Sequence, residues 1–272
     1  GLDYETLAKL NPKLVYCSIT GFGQTGPYSQ RAGYDFAIQG MAGLMSITGE
    51  RDDLGGGPQK AGIAVADLFT GMYATVAILA ALRHAEKTGQ GQRVDMALFD
   101  TQVSVIANLG ANYLVDGQFT DRIPGRAGNA HQNLVPYQVF ETAPAPDGGK
   151  AHIILAIGND SQFAKFCEVA DCQHLSVDPR FATNAQRVRH RDVLIPELEA
   201  LMRQRTKHDW LSALEVARVP CGAINNLAEV FADPQLASRA MVNTWNHPSQ
   251  PALQLVASPI KLSATPVRQD LP

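Results

Sequence analysis

Up to about residue 121, dense apolar runs alternate with segments of helical period. "DYETLAKLNP" spaces Leu7 and Leu10 as a helix would and is stopped by Pro12. "KLVYCSI" predicts a strand, and a polar, glycine-rich stretch separates it from "YDFAIQGMAGLMSIT", whose small residues suit a closely packed helix. A strand at "KAGIAVA" and then the strongest helix, "DLFTGMYATVAILAALRHAEKTGQG", are expected. Asp67 would be its N-cap, with His84 and Lys87 in its last turns and Gly89 as its stop. Its apolar centre, "MYATVAILAAL", is too short to span a bilayer and predicts a buried helix. "QRVDMALFD" reads as a strand leading into the helix "TQVSVIANLGANYLVDG". The alternation predicts α/β architecture with a parallel sheet.

Past Gly117 the pattern changes. "QFTDRIPGRAGNAHQN" is glycine-bearing loop, "LVPYQVFETA" and "AHIILAIG" predict two strands around the turn-rich "PAPDGGK", and "DSQFAKFCEVA" predicts a helix capped by Asp160. Helical segments follow in "NAQRVRHRDVLIPELEALMRQR" and "HDWLSALEVARV", before strand-like "ALQLVASPIKL". The expected division is a large α/β domain over 1–121, a smaller α+β domain with the glycine-rich loop over 122–215, and a return to the large domain over 216–272. No internal repeat is visible.

Composition narrows the partners. With 45% hydrophobic and 18% charged residues, the chain can bury one large core or two smaller ones. A net charge of -3 supplies no basic field for nucleic acid or an anionic membrane. Cys17, Cys167, Cys172 and Cys221 have neither C-x-x-C spacing nor secreted-scaffold density, so reduced, mostly buried thiols in a cytoplasmic protein are expected. The start, Gly1 onward, is polar and unlike a signal peptide, and both ends look cut. The seven histidines form no metal-binding spacing, and neither a G-x-S-x-G elbow nor a phosphate-loop motif occurs.

"GFGQTGP", residues 21–27, spells G-x-G-x-x-G after a strand. A dinucleotide site would need a helix to open at once, so that its N-terminus faces the pyrophosphate. Here the loop continues through "YSQRAG", and no acidic residue ends a second strand, so that reading fails its context. Asp67 is the residue that physical reasoning selects. At the junction of strand and buried helix, the helix dipole favours its ionised form, and a fixed carboxylate there serves as nucleophile or base. An Asp before a helix is also an ordinary cap, and the residues alone leave both readings open.

"CSITGFGQTGPYSQRAGYD", "AGIAVADLFTGMYATVAILAAL", "GQGQRVDMALFD", "GNAHQNLVPYQVFETA" and "VPCGAINNLAEVFADPQ" together resemble the class III CoA-transferases, the formyl-CoA and carnitine-CoA transferase family. "SQRAGYD", "ANYLVDG", "VPYQVF" and "INNLAEVFADPQ" look closest to the branch containing succinyl-CoA:glutarate CoA-transferase. The resemblance implies that Asp67 in "ADLFTG" is the catalytic nucleophile. "GRAGNAHQN" would be a mobile loop over it, with Gly125, Gly128, Asn129 and Ala130 against the substrate. Tyr34 would stand near the thioester, where the superfamily's racemases carry histidine, and Arg31 is a candidate for a CoA phosphate or a substrate carboxylate. Without the resemblance, 125–133 is also readable as an interdomain loop, Tyr34 as packing and Arg31 as solvated. Coenzyme A thioester is implied as substrate, with no permanently bound cofactor and no metal. The implied fold is an incomplete nucleotide-fold-like large domain with a second, smaller domain, in an interlocked homodimer. The family's N-terminal segment has no counterpart before Gly1. Alternatives are an acyl-CoA racemase or isomerase of the same fold, and a non-catalytic, truncated CoA-binding fragment.

Overall fold

A computed structural model describes residues 1–146, 148–247 and 249–268, and its contacts divide the chain into two compact units, Gly1–Gln132 and Asn133–Pro272. The glycine-bearing loop at 125–130, expected at the head of the small domain, therefore falls in the first unit.

The first unit opens with α1 (Tyr4–Leu10), capped by Asp3, and β1 (Tyr16–Thr20). After the long loop come α2 (Asp35–Met41), α3 (Leu44–Ile47), α4 (Val65–Thr88), β2 (Arg93–Ala97) and α5 (Leu98–Val105). Two short helices, α6 (Ala107–Asn112) and α7 (Gln118–Thr120), follow with a π-helical turn between them. β1 and β2 pair in parallel, from Tyr16 opposite Arg93 to Thr20 opposite Ala97. A parallel pair needs a crossover, and α4, packed on both strands, supplies it. Its N-terminus consequently lies at the edge where the strands end, the usual ligand side of such sheets. A small core of Ile38, Ala42, Ala66 and Leu98, flanked by Phe22 and Phe99, holds the starts of α2, α4 and α5 together.

Three local expectations are corrected here. Residues 60–64 form no strand, and α4 starts at Val65 with Ala64 as its N-cap, so Asp67 sits at the third helical position. Ala61 N and Ala66 N donate to the Gln39 and Asp35 side chains of α2, and Val65 N to Ile63 O, so these groups enter no strand ladder. The helix expected over 34–48 breaks at Gly43, whose φ of 91° separates α2 from α3. Finally, α4 is not buried within the chain. It covers small residues, Ala66, Thr70, Ala74, Ala81 and Ala85, and leaves Leu68, Met72, Val76 and Leu79 each more than half exposed. By length and composition alone its 24 residues could cross a membrane.

The second unit carries the larger core. β3 (Tyr137–Glu141), β4 (His152–Ala156) and β5 (Cys221–Ala223) form an antiparallel sheet in that order. Because β5 pairs with β4, the chain is still in this unit's sheet at Ala223, beyond residue 216 where a return was expected. Helices α8 (Asp160–Val169), α9 (Gln173–Val177), α10 (Asn184–Arg189), α11 (Arg191–Met202) and α12 (Lys207–Val216) supply most of the remaining core, including Phe163, Phe166, Leu198 and Trp210. Asn159, not Asp160, caps α8: Asn159 is the extended residue, and its Oδ1 accepts from Gln162 N at 2.9 Å. Asp160 is thereby free to accept from Arg187, which is fully buried and also donates to the carbonyls of Val135 and Phe181. Helices α13 (Leu227–Ala232) and α14 (Pro234–Ser238) and the hairpin β6 (Val242–His247) and β7 (Gln250–Val256) complete the unit. All four cysteines are free; Cys167 and Cys172 are buried, Cys17 and Cys221 half-buried.

Candidate active site

The loop after β1 has its ends pressed together. A Cβ on Gly21 would lie 2.6 Å from Gly33 Cα, so backbone meets backbone where no other residue type fits. Between these ends the loop is tied down by Thr20 Oγ1, which accepts from Gly23 N at 2.9 Å, and by Asp95 of β2, whose Oδ2 accepts from Gln24 N at 3.0 Å. Phe22 packs into the small core beside Ile38 and Ala66. Turns fill the chain up to α2, so no helix opens directly from "GFGQTGP" as the dinucleotide fold requires.

The same closure delivers Tyr34 and Asp35 to the start of α2. Tyr34 is its N-cap and is 81% exposed, which removes the packing reading for its ring within this chain. Asp35 reaches across to α4: its Oδ1 accepts from Ala66 N at 2.8 Å and from Asp67 N at 3.4 Å. Its Oδ2 accepts from Gln39 Nε2 at 2.6 Å, and Gln39, fully buried, uses its Oε1 to accept from Ala61 N at 2.9 Å. Asp67 itself is exposed in the first turn of α4, and its carboxylate has no partner among the described residues. An unpartnered carboxylate at the positive end of a 24-residue helix is open to a reagent. Cys17 is the other nucleophilic type in this unit. Burial and the nearby Asp95 raise its pKa, which keeps the thiol protonated.

Arg31, in the loop, stacks its guanidinium 4.1 Å from the centre of the Tyr28 ring and stays exposed. The segment 125–130 is anchored to residues 49–52. Gly128 N donates to Gly49 O at 3.1 Å, Arg126 Nε donates to Glu50 O at 3.1 Å, and Arg126 pairs with Asp52. Gln132 closes the loop on itself through Gly125 O at 2.8 Å. Gly128 has φ 59°, and a Cβ there would meet Glu50 Oε1 at 2.5 Å, while Gly125 has open space around it. Asn129 is exposed and Ala130 half-buried. Among the described residues no group of His, Cys, Asp and Glu could hold a metal.

The CoA-transferase family III model matches residues 1–272. The chain belongs to that family. Among curated relatives, this family III chain is 48% identical to the succinate–glutarate CoA-transferase of Agrobacterium fabrum, with all of this chain and 65% of that protein covered. It is 41% identical to the human succinyl-CoA:glutarate CoA-transferase over 92% of this chain and 54% of the other. Among solved structures, a CaiB/BaiF family protein from Brucella suis superposes with a TM-score of 0.78 at 46% identity, covering 99% of this chain and 66% of that one. The chain therefore spans about half to two-thirds of the length of these relatives.

In this family III chain the structure brings Tyr34 and Asp67 to adjoining helix starts through Asp35, and it ties Gly128 to the 49–52 segment. The sequence reading passed over Asp35, Gln39, Glu50 and Arg126. Asp35 and Gln39 stand one helical turn apart, a spacing that allows a side-chain pair. Nothing local pairs Arg126 with residues more than 70 positions away.

Proposed function

We propose that the protein moves CoA from an acyl-CoA such as succinyl-CoA to a short dicarboxylate such as glutarate, with Asp67 as the covalent nucleophile. The observation that carries this reading is the exposed, unpartnered Asp67 carboxylate at the start of α4, in a chain that belongs to family III throughout. The names of the relatives from A. fabrum and human support the choice of acids.

In the reaction, an oxygen of Asp67 attacks the donor thioester carbonyl. The C–S bond breaks, and CoA leaves as thiolate from a mixed anhydride. The thiolate then attacks the aspartyl carbonyl, releasing the donor acid as carboxylate and leaving CoA on Asp67 as a thioester. An acceptor carboxylate attacks this thioester in turn, expelling thiolate and forming a second anhydride. The thiolate attacks the acceptor carbonyl, which gives the new acyl-CoA and returns Asp67 to carboxylate. Dividing one exchange into four acyl transfers lowers each barrier. Each tetrahedral intermediate requires donors for its oxyanion, and exposed backbone N–H groups are the expected donors. Tyr34 and Arg31 are assigned to the thioester and to an anionic part of the substrate, and Gly125, Gly128, Asn129 and Ala130 to a cover that excludes water from the anhydride. The working state is a homodimer. The exposed apolar residues of α4 support a cover of this kind over that face.

The test is to incubate the chain with succinyl-CoA and glutarate, follow glutaryl-CoA by mass spectrometry, and map adducts after hydroxylamine quenching. Wild type should form product and carry a hydroxamate at Asp67, while Asp67→Asn, folded, should do neither. Product formed equally by both proteins would remove Asp67 from the chemistry.

A further inference from the structure

The geometry points to Asp35 as the positioning residue for the nucleophile: it caps α4 from outside that helix and so sets where Asp67 stands. This inference rests on the function proposed above. An α-helix leaves its first backbone N–H groups without intrahelical partners, and the residue before it commonly supplies an oxygen for them. Here that residue is Ala64, which has no such oxygen. The acceptor comes instead from the first turn of α2, where Asp35 Oδ1 takes the N–H of Ala66 at 2.8 Å and lies 3.4 Å from that of Asp67. The other oxygen, Oδ2, is held at 2.6 Å by Gln39, one turn further along α2. Gln39 is fully buried and is itself fixed by Ala61 N at 2.9 Å and by Ile63 O at 3.3 Å.

Two residues one turn apart on α2 therefore hold both the chain entering α4 and the backbone of the nucleophile. Ile38 and Ala66, neighbours of these groups in sequence, are both fully buried in the same small core, so the carboxylate has little room to move. Asp35 touches Asp67 through the backbone only and reaches no reacting atom. Its effect is to fix the direction in which the Asp67 carboxylate leaves the helix. Misplacing a reacting group by about 1 Å costs roughly a hundredfold in rate.

The experiment compares wild type, Asp35→Ala, Asp35→Asn and Asp3→Ala. Asp3 caps α1 through Thr6 N at 2.8 Å and controls for ordinary cap loss. Amide hydrogen exchange at Ala66 and steady-state transfer from succinyl-CoA to glutarate are measured on each. Asp35→Ala should lose the protection of Ala66 and lower kcat about a hundredfold, with KM for succinyl-CoA within about twofold. Asp35→Asn keeps an oxygen for Ala66 and should recover most of both losses, and Asp3→Ala should change neither. The inference is overturned by retained protection of Ala66 in Asp35→Ala, by kcat within twofold of wild type, or by equal impairment of the Ala and Asn variants. If wild type transfers no CoA, it is the proposed function that fails, and exchange at Ala66 in the Ala and Asn variants still decides whether Asp35 caps the helix.

Discussion

Arg187 shows how one side chain can organise its surroundings. It is fully buried, donates to two backbone carbonyls and to Asp160, and lies over the Phe163 ring. Burial lowers its pKa and Asp160 raises it again, and the balance keeps the guanidinium charged. Removing the guanidinium leaves the carbonyls of Val135 and Phe181 without their donor, so Arg187→Met should cost about 3 kcal/mol or more. Asp160 is half exposed, and Asp160→Asn should cost less than half as much. Urea unfolding followed by tryptophan fluorescence checks both values. The sequence made Arg187 look like one cation in a basic run, "RVRHR", because nothing within a few residues of it shows which cation is turned inward. Asp67, by contrast, was legible at residue scale: an acid before a long apolar stretch marks a helix start. Its place within the first turn was not legible, because the side chain that caps this helix lies over 30 residues upstream.

At the scale of elements, agreement follows local chemistry. α1 and the C-terminus of α4, where Gly89 adopts φ 76°, fall where capping residues put them. The strands β3 and β4 fall within their apolar runs, and β1 overlaps its run but extends one residue past it to Thr20. Failures come where tertiary contact overrides pattern. "KAGIAVA" has a strand's composition, yet the N–H groups of Ala61 and Ala66 are claimed by side chains of α2. The segment 34–48 reads as one helix, yet Gly43 turns it with a left-handed backbone against Ile106. An alanine there must carry a Cβ at φ 91°, with Ile106 Cδ1 only 3.2 Å away. Gly43→Ala should therefore cost about 1–2 kcal/mol, measured by thermal unfolding, and a stabilising effect would contradict the break between α2 and α3.

For the whole molecule, the two units differ in how they use apolar residues. The second buries a broad core of aromatic and aliphatic side chains. The first buries few, and Met72, Val76 and Leu79 stand out from α4 at about 60% exposure each. Sequence pattern could not reveal this, because hydropathy reports that a helix is apolar and not what covers it. The proposed homodimer makes a direct prediction: Val76→Glu should shift wild-type dimers towards monomers in sedimentation velocity while the far-ultraviolet dichroism is unchanged. An unaltered sedimentation profile would place the subunit contact elsewhere.

The contact between Gly21 and Gly33 carries a consequence for how such a protein can diversify. With its two ends pinned and Gln24 held by Asp95, the stretch from Thr25 to Arg31 hangs as an excursion from a closed ring. Doubling the length of a flexible loop adds only about 0.6 kcal/mol of closure cost, so insertions and new side chains there leave the scaffold intact. On the proposed function, rewriting this segment would change which acid is accepted while Asp67 and the helix that carries it stay as they are.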